Sequence, residues 1–470
     1  MKIKETLYTL LKYEATSDQH RLIHVLEKFT LSTKSRPILI INGHAGTGKT
    51  SLISAYVQSL ALLKVKSQLM APTGRAAKVF SSFAKKQAHT IHKVIYRHSG
   101  DEGASFSWNR QENKNVNTVF IIDEASMISS QSPVSGSGFS YRTLLEDVLD
   151  YVFEQKGNKL ILIGDLAQLP PVGEKESLAL SPAYFEALGD YPVALVSLKE
   201  VVRQDEGSAV LSNATIVRNM IDEQIPGFPS LTLDNPDEVK AINGYELQEY
   251  LESSYDEVGM ESMIFITWSN KRANIFNQQI RARILWHEEE INAGDYIMVV
   301  KNNYFWLEDN FIANGDVLVV SRVQGIYDQY DMRFADLTVY FLDDEDKKTF
   351  DVKALLDVLM DDGPSLSNEK SKILFEKIEE DYVDVRSHAQ RIKKVFNDPF
   401  YNALQIKFAY AVTAHKSQGG QWPIVFLDQP FIREASPTVE DLRWLYTGIT
   451  RSSFRLFFVN FSVHFFEKTN

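Results

Sequence analysis

Short apolar runs alternate with amphipathic stretches along the first 205 residues of the chain. The runs are rich in β-branched residues and lie at 36–41, 116–123, 158–164 and 191–198. This alternation is typical of βα units on a parallel sheet. A second series of apolar runs, around a helical stretch at 270–284, lies at 261–269, 422–428 and 455–462. The pattern predicts an α/β protein with two domains of similar type.

Three segments interrupt this plan. Residues 93–116 are polar and turn-rich and predict a short hairpin, and residues 128–141 form a Ser/Gly-rich loop. Residues 316–400 begin with alternating segments, which predict a small β-barrel, and continue into an acidic helical stretch. Near the end of the chain, the polar stretch 445–453 lies between apolar, strand-like segments and reads by itself as a surface turn.

Composition narrows the class of protein. The 470 residues are about three times a typical domain, so several domains are expected. No stretch reaches eighteen uncharged apolar residues, and the first residues lack a signal-peptide pattern; both points argue against a membrane protein and favour the cytoplasm. The absence of cysteine excludes disulfides, thiolate catalysis and Cys-ligated metal sites.

The net charge of −12 is unusual for a protein that binds nucleic acid, because Lys and Arg must neutralise phosphates. The excess is local: residues 343–384 carry a net charge of −8, which leaves −4 for the other 428 residues. A basic groove elsewhere is therefore compatible with the composition.

The segment "GHAGTGKT" matches the phosphate-binding loop pattern, with Gly43, Gly48, Lys49 and Thr50 in the required spacing. It follows an apolar strand and precedes an amphipathic stretch. Glycines let backbone N–H groups converge on phosphate oxygens at a helix N-terminus. Lys49 is expected to neutralise phosphate charge and Thr50 to ligate Mg²⁺, so the sequence predicts ATP and Mg²⁺ as ligands.

Two further strand ends carry polar residues. "VFIIDEASM" places Asp123 where it can complete the magnesium site, and Glu124 where it can act as general base for the attacking water. "LIGDLAQLPPVG" offers Gln168 to a γ-phosphate or its attacking water, while Asp165 is expected to hold the turn by accepting backbone N–H bonds.

The order of these motifs, together with "APTGRAAK", "AHTIHKVI", "LKEVVRQ", "FAYAVTAHKSQGGQW" and "LYTGITRSS", resembles superfamily 1 helicases of the 5′-to-3′ branch, which includes RecD-like and Dda-like DNA helicases. The resemblance implies two RecA-like P-loop NTPase domains with parallel sheets, a hairpin insertion and an SH3-like β-barrel insertion. The implied boundaries are 1–92 with 117–225 for domain 1A, 93–116 for the pin-like insertion 1B, 226–315 with 401–470 for domain 2A, and 316–400 for the barrel insertion 2B.

The resemblance also implies a nucleotide site between the two domains. Its catalytic residues would be Lys49, Asp123, Glu124, Gln168, Arg203 and Arg451, the last acting as an arginine finger in cis. Its nucleotide-binding residues would be Gln19, Gly43, Ala45, Gly46, Thr47, Gly48, Lys49, Thr50, Ser51, Gly419 and Gln421. Relatives usually have an acidic residue at the last position. A neutral amide accepts less strongly, which predicts weaker discrimination among nucleotide sugars.

A single-stranded DNA path across both domains is the third implication. Its expected contacts are Pro72, Thr73, Gly74, Arg75, Thr90, His92, Thr267, Asn270, Thr413, His415 and Lys416. His92 reads equally well as a packed residue, and Thr267 and Asn270 as helix caps. The acidic stretch 343–384 is expected to face away from the DNA because it would repel phosphate.

The resemblance therefore implies an ATP-dependent DNA helicase that translocates 5′ to 3′ on single-stranded DNA and acts at single/double-strand junctions, with roles in DNA repair or recombination. Alternatives are a nucleic-acid-stimulated ATPase that remodels or senses complexes without unwinding, and the motor subunit of a nuclease complex. RNA as the substrate and a nuclease or repair partner are left open at this point.

Overall fold

The structure is a computed structural model that describes residues 3–11, 13–98, 108–131, 142–202, 207–307, 311–430, 432 and 436–466. Its helices are α1 (Ile3–Leu10), α2 (Ser17–Leu31), α3 (Lys49–Leu62), α4 (Gly74–Ala84), α5 (Ile91–Ile95), α6 (Leu144–Phe153), α7 (Pro182–Ala187), α8 (Ala209–Asp222), α9 (Leu247–Val258), α10 (Asn270–Arg283), α11 (Asn368–Glu380), α12 (His388–Phe396), α13 (Ala414–Ser417) and α14 (Val439–Ile449).

Its strands are β1 (Ile38–Gly43), β2 (Ser67–Ala71), β3 (Ala88–Thr90), β4 (Tyr96–His98), β5 (Trp108–Arg110), β6 (Val119–Ile122), β7 (Lys159–Gly164), β8 (Val193–Leu198), β9 (Val239–Ile242), β10 (Met263–Thr267), β11 (Tyr296–Val299), β12 (Val317–Gln329), β13 (Met332–Phe341), β14 (Phe350–Leu355), β15 (Leu404–Phe408), β16 (Ala411–Thr413), β17 (Trp422–Asp428) and β18 (Ser452–Val459).

The first lobe is a six-stranded parallel sheet in the order β3-β2-β6-β7-β1-β8, together with its helices. All six positions of β1 and all four of β6 are buried, as expected for strands covered by helices on both faces. Helix α2 begins at a capping box in which the Thr16 side chain and the side chain of Gln19 exchange bonds with backbone N–H groups. The carboxyl ends of β1, β6 and β7 carry the predicted ATP-site residues.

The second lobe is a five-stranded parallel sheet in the order β16-β10-β17-β18-β9. Helix α14, which begins at a Thr438 capping box, covers one face together with α8. The prediction of two α/β units with parallel sheets is confirmed. The stretch 445–449, which the sequence pattern reads as part of a turn, is the last part of α14, and β18 begins at Ser452.

The closed barrel consists of β11, β12, β13, β14 and β15. Strands β11 and β15 lie outside the predicted range 316–400; they close the barrel by pairing with each other across about a hundred intervening residues. Helix α11 of the acidic stretch and the following helix α12 pack their apolar side chains against the barrel's end. A two-stranded hairpin, β4 with β5, occupies the predicted insertion 93–116.

Along the stretches of chain that the structure describes, no helix combines the length and apolar character that crossing a membrane requires.

Candidate ATP site and nucleic-acid interface

The phosphate loop connects the end of β1 to the start of α3. Gly46 and Gly48 have φ angles of +74° and +70°, in the left-handed region that favours glycine. A Cβ at Gly46 would lie 2.7 Å from the Leu211 side chain, so the loop also packs too closely for a larger residue. The Lys49 ammonium donates to the carbonyl oxygens of Gly43 and His44, which folds this side chain back across the loop.

Gln19 joins the start of α2 to the phosphate loop. Its Oε1 accepts from the Thr16 N–H at 3.1 Å, and its Nε2 donates to the Thr47 carbonyl oxygen at 2.9 Å. The side chain is completely buried. Both ends of the amide are therefore bonded within the protein, and the predicted contact with adenine stays a prediction.

Asp123 and Glu124 follow β6 at the edge of the first sheet. Burial and the neighbouring charge of Glu124 raise the pKa of Asp123 to about 7, although a backbone N–H bond and Lys49 act in the opposite direction. A cation would relieve this crowding of negative charge, and Thr50 in the first turn of α3 offers a hydroxyl ligand. Mg²⁺ commonly takes one or two protein oxygens together with phosphates and water, so these residues fit it. The described residues contain no group of three or more His, Cys, Asp or Glu side chains able to hold a metal.

The turn after β7 brings Gln168 to the same edge. Asp165 holds the turn as predicted, because its Oδ1 accepts from the Ala167 N–H at 3.0 Å. Gln168 is 6% exposed, and its buried Oε1 has no hydrogen-bond partner among the described residues. Buried amide oxygens are almost always bonded. Such an orphaned acceptor suits a residue that bonds to a nucleotide or to its attacking water.

The turn 165–169 is also where the two lobes meet. The Leu169 N–H donates to the Thr447 hydroxyl at 2.9 Å, and Gln418 Nε2 donates to the Leu169 carbonyl oxygen at 2.8 Å. Tyr446, on α14, accepts a hydrogen bond from the Ala45 N–H of the phosphate loop at 2.9 Å. The cleft between the lobes therefore lies directly over the phosphate loop. Composition and motif spacing gave no signal for Tyr446, whose role depends on the contact between lobes.

Arg451 lies at this cleft and is 5% exposed. Its guanidinium donates to the Thr447 carbonyl oxygen, the Gly420 carbonyl oxygen and the Thr450 hydroxyl at 3.1 to 3.2 Å. All three acceptors belong to the second lobe. To reach a nucleotide on the phosphate loop as a finger, this side chain must exchange these bonds for bonds to phosphate.

Arg75, a predicted DNA contact, touches an aromatic side chain of the second lobe. Its guanidinium lies 3.8 Å from the centre of the Trp422 ring, across the boundary between the lobes. Burial lowers the pKa of Arg75 to about 10; Asp343 acts in the opposite direction, and the charge of Arg451 adds to the lowering. The structure thus places this arginine beside the predicted finger, where stacking on an aromatic ring compensates in part for lost hydration.

The other first-lobe residues predicted to contact DNA lie at helix starts. The Thr73 hydroxyl accepts from the Ala76 N–H at 3.2 Å and caps α4, and the Thr90 hydroxyl caps α5 in the same way. Pro72 precedes the α4 cap. Burial lowers the pKa of His92 to about 4, so its ring is neutral at pH 7 and can contact a phosphate only by a hydrogen bond.

The barrel reaches the start of α4 as well. A Cβ added to Gly74 would lie 2.2 Å from the Asp316 carboxylate, and Lys78 forms an ion pair with Asp343 at 3.2 Å. Burial raises the pKa of Asp316 to about 7. The acidic stretch was expected to face away from the DNA path, but its first residue contacts this helix. Opposite charges meet at this contact, Lys78 on α4 and Asp343 on the acidic stretch.

The second-lobe residues predicted to contact DNA gather at one edge of the second sheet. Thr267 and Thr413 are paired neighbours on β10 and β16, and Asn270, Thr413 and Lys416 line one pocket. The Thr267 hydroxyl donates to the Ser269 carbonyl oxygen at 3.0 Å. The N-cap of α10 is Ser269, whereas the sequence offered Thr267 and Asn270 for that role. Burial and the nearby Lys407 lower the pKa of Lys416 to about 8.

The last predicted residues have separate surroundings. Burial lowers the pKa of His415, which also bonds to Pro170 of the first lobe. Gly419 has a φ of +73° and a Cβ there would lie 2.8 Å from Ala76. The side chains of Ser51 and Gln421 are exposed. Arg203 lies outside the described residues.

Sequence comparisons match two parts of the chain to known families. Residues 17–225 match the family described as an AAA domain, and residues 408–459 match the UvrD-like helicase C-terminal domain. The first segment contains the phosphate loop, and the second contains Arg451. The two matches, in this order along the chain, agree with the resemblance to superfamily 1 helicases of the 5′-to-3′ branch.

Similar proteins align with nearly the whole length of this chain. An uncharacterized protein of Acanthamoeba polyphaga mimivirus is 26% identical, with 91% of this chain and 96% of that protein covered. The ATP-dependent DNA helicase dda of Enterobacteria phage T4 is 23% identical, with 95% and 99% covered. A crystal structure of Pif1 helicase from Bacteroides with ADP-AlF3 and ssDNA is 16% identical, covers 97% of this chain and 95% of that one, and has a TM-score of 0.43.

Proposed function

We propose that this protein is an ATP-dependent DNA helicase that moves 5′ to 3′ along single-stranded DNA and opens duplexes at single/double-strand junctions. One observation carries the proposal. The phosphate loop and the Lys416 pocket lie on two different sheets, and the turn 165–169, at the edge of the phosphate site, is hydrogen-bonded to both lobes. A change at the nucleotide can therefore move one set of DNA contacts relative to the other.

In this proposal, the first lobe binds ATP. Lys49 exchanges its bonds to loop carbonyl oxygens for bonds to phosphate oxygens, and the loop's N–H groups hold the remaining phosphate charge. Thr50 and Asp123 would hold Mg²⁺, which supplies charge stabilisation for the transferred phosphoryl group. Glu124 accepts a proton from the attacking water, and the unpaired Oε1 of Gln168 orients that water.

The second lobe completes the site. Arg451 is bonded within the second lobe, whereas Lys49 belongs to the first. The charge of Arg451 therefore becomes available to the phosphoryl group only when both lobes are together. Hydrolysis and lobe closure are then linked. Thr73 and Gly74 on the first lobe, with Thr413 and Lys416 on the second, would grip the DNA backbone in alternate states of the cleft.

Relatives support the assignment of substrate. The T4 relative, aligned over nearly its whole length, is named an ATP-dependent DNA helicase. By analogy, we propose DNA as the track of this chain, with roles in repair or recombination alongside partner proteins.

The test is an unwinding assay that compares duplexes with a 5′ tail and with a 3′ tail, in the presence of ATP and Mg²⁺. We expect strand separation of the 5′-tailed duplex only, and none by Lys49→Ala on either substrate. DNA-stimulated ATP hydrolysis without strand separation would favour an ATPase that remodels complexes, and separation of the 3′-tailed duplex alone would contradict the polarity.

A further inference from the structure

A buried tyrosine on the second lobe is bonded to the phosphate loop of the first. Tyr446 is 1% exposed; its hydroxyl accepts from the Ala45 N–H at 2.9 Å and donates to Asp165 Oδ2 at 2.7 Å. Burial, followed by the charge of Asp165, raises the pKa of Tyr446 well above its ordinary value. The hydroxyl therefore keeps its proton, which fixes the direction of both hydrogen bonds.

Asp165 receives this bond as an ionised carboxylate. Burial alone would raise its pKa, but the hydrogen bond from His44 and the charge of Lys49 outweigh burial and lower the pKa. His44 Nδ1 lies 3.1 Å from Asp165 Oδ1, and its Nε2 lies 3.5 Å from Asp222 at the end of α8. The carboxylate is thus tied to the phosphate loop on one side and to α14 on the other.

We propose that Tyr446 is a positioning residue for ATP hydrolysis, a role that rests on the function proposed above. Its hydroxyl joins the Ala45 N–H to Asp165 only while the two lobes are together. The three groups come from the phosphate loop, from the turn after β7 and from α14. Separation of the lobes removes the hydroxyl from between the other two. Tyr446 therefore links the distance between lobes to the conformation of the phosphate loop.

The consequence is a specific kinetic pattern. Removal of the hydroxyl leaves a buried N–H and a buried carboxylate each short of one partner in the closed state, and bonds to charged groups are the stronger kind. The closed state, in which Arg451 serves the phosphoryl group, would be populated less. We expect kcat to fall roughly ten- to hundredfold. The KM for ATP should change little, because the first lobe alone supplies the loop that binds ATP.

The chain contains a matched control. Tyr410 is 4% exposed; its hydroxyl donates to Asp295 Oδ1 at 2.9 Å and accepts from the Tyr296 N–H at 3.0 Å. The chemistry equals that of Tyr446, but these three residues make their bonds between the barrel and the second lobe, away from the cleft. Tyr410→Phe should therefore reproduce the loss of stability without the loss of turnover.

The experiment compares DNA-stimulated ATP hydrolysis by the full-length wild type, Tyr446→Phe and Tyr410→Phe, with kcat normalised to the fraction of protein that binds ADP. We expect a lowered kcat for Tyr446→Phe only, with similar decreases in Tm for both variants. Asp165→Asn combined with Tyr446→Phe should lower kcat by less than the product of the single effects, because both changes remove the same hydrogen bond between a hydroxyl and a charged carboxylate.

Equal kcat values for the two phenylalanine variants would overturn the proposal, and so would a rise in KM without loss of kcat. Fully multiplicative effects of Tyr446→Phe and Asp165→Asn would overturn it as well. Failure of the proposed helicase function has a different signature, since the wild type itself would then fail to separate the strands of the 5′-tailed duplex, whatever the kcat values of the variants.

Discussion

The Lys416 pocket predicts that DNA binding weakens as pH rises from 7 to 9. The Lys416 ammonium makes no hydrogen bond or ion pair with the described residues, and burial with the nearby charge of Lys407 lowers its pKa to about 8. Lys407 itself donates to the Val358 and Asp361 carbonyl oxygens. Only the protonated form of Lys416 attracts phosphate. Its contribution to affinity is therefore present below pH 8 and is lost above it.

The magnitude follows from linkage. A phosphate bound beside Lys416 restores its pKa toward the ordinary value of about 10.4, so between about pH 8 and 10 binding takes up close to one proton. The dissociation constant should then rise about tenfold between pH 7 and pH 9, equivalent to about 1.4 kcal/mol. Because Lys416 in the complex stays charged up to about pH 10, the slope of the log–log salt dependence should be the same at pH 7 and pH 9.

The assay is fluorescence anisotropy with a labelled single strand at pH 7, 8 and 9 and fixed ionic strength, repeated at several salt concentrations. Lys416→Arg is the control, since guanidinium keeps its charge over this range. Any effect of other titrating groups appears in both proteins and is subtracted. Equal pH dependence of the wild type and Lys416→Arg would refute the assignment of this lysine to a phosphate.

Three further predictions concern the nucleotide site. Lys49→Ala should abolish ATP turnover, because the phosphate charge loses its partner; hydrolysis near the wild-type rate would remove the phosphate-loop assignment. Arg451→Ala should bind ADP within a few-fold of wild type yet lower kcat by about 10³; weaker ADP binding with normal kcat would contradict the finger role. Gln421→Glu should raise the preference for ATP over dATP in kcat/KM, because a carboxylate accepts more strongly from ribose hydroxyls. An unchanged preference would place this side chain away from the sugar.

Most features of the fold and of the nucleotide site that the sequence predicts depend on local patterns. The phosphate loop and the acids after β6 depend on residues close in sequence, on buried strands and on glycine geometry, so their arrangement follows from short segments. The pairing of the strands that close the barrel does not follow from short segments. Strand β11 pairs with β15 about a hundred residues later, and nothing within either short apolar run specifies that partner.

Contacts between the two lobes could not be predicted from the sequence either. Arg75 sits in a segment whose neighbours cap α4, which favours a phosphate contact, yet its guanidinium stacks on Trp422 because the second lobe packs there. Tyr446 lies in the polar stretch 445–453, which reads by itself as a surface turn. Only the approach of α14 to the phosphate loop turns its hydroxyl into a polar contact.

Helix α14 explains why these contacts belong together. Tyr446 lies in the last turn of α14, and Arg451 follows two residues after the helix ends at Ile449. The Arg451 N–H is bonded to the Gly448 carbonyl oxygen and its guanidinium to Thr447, so Arg451 is fixed to the end of α14. A shift of the second lobe must therefore move both side chains at once. The release of Ala45 and the withdrawal of the finger are then consequences of one displacement, because Tyr446 lies on α14 and Arg451 is bonded to the end of that helix.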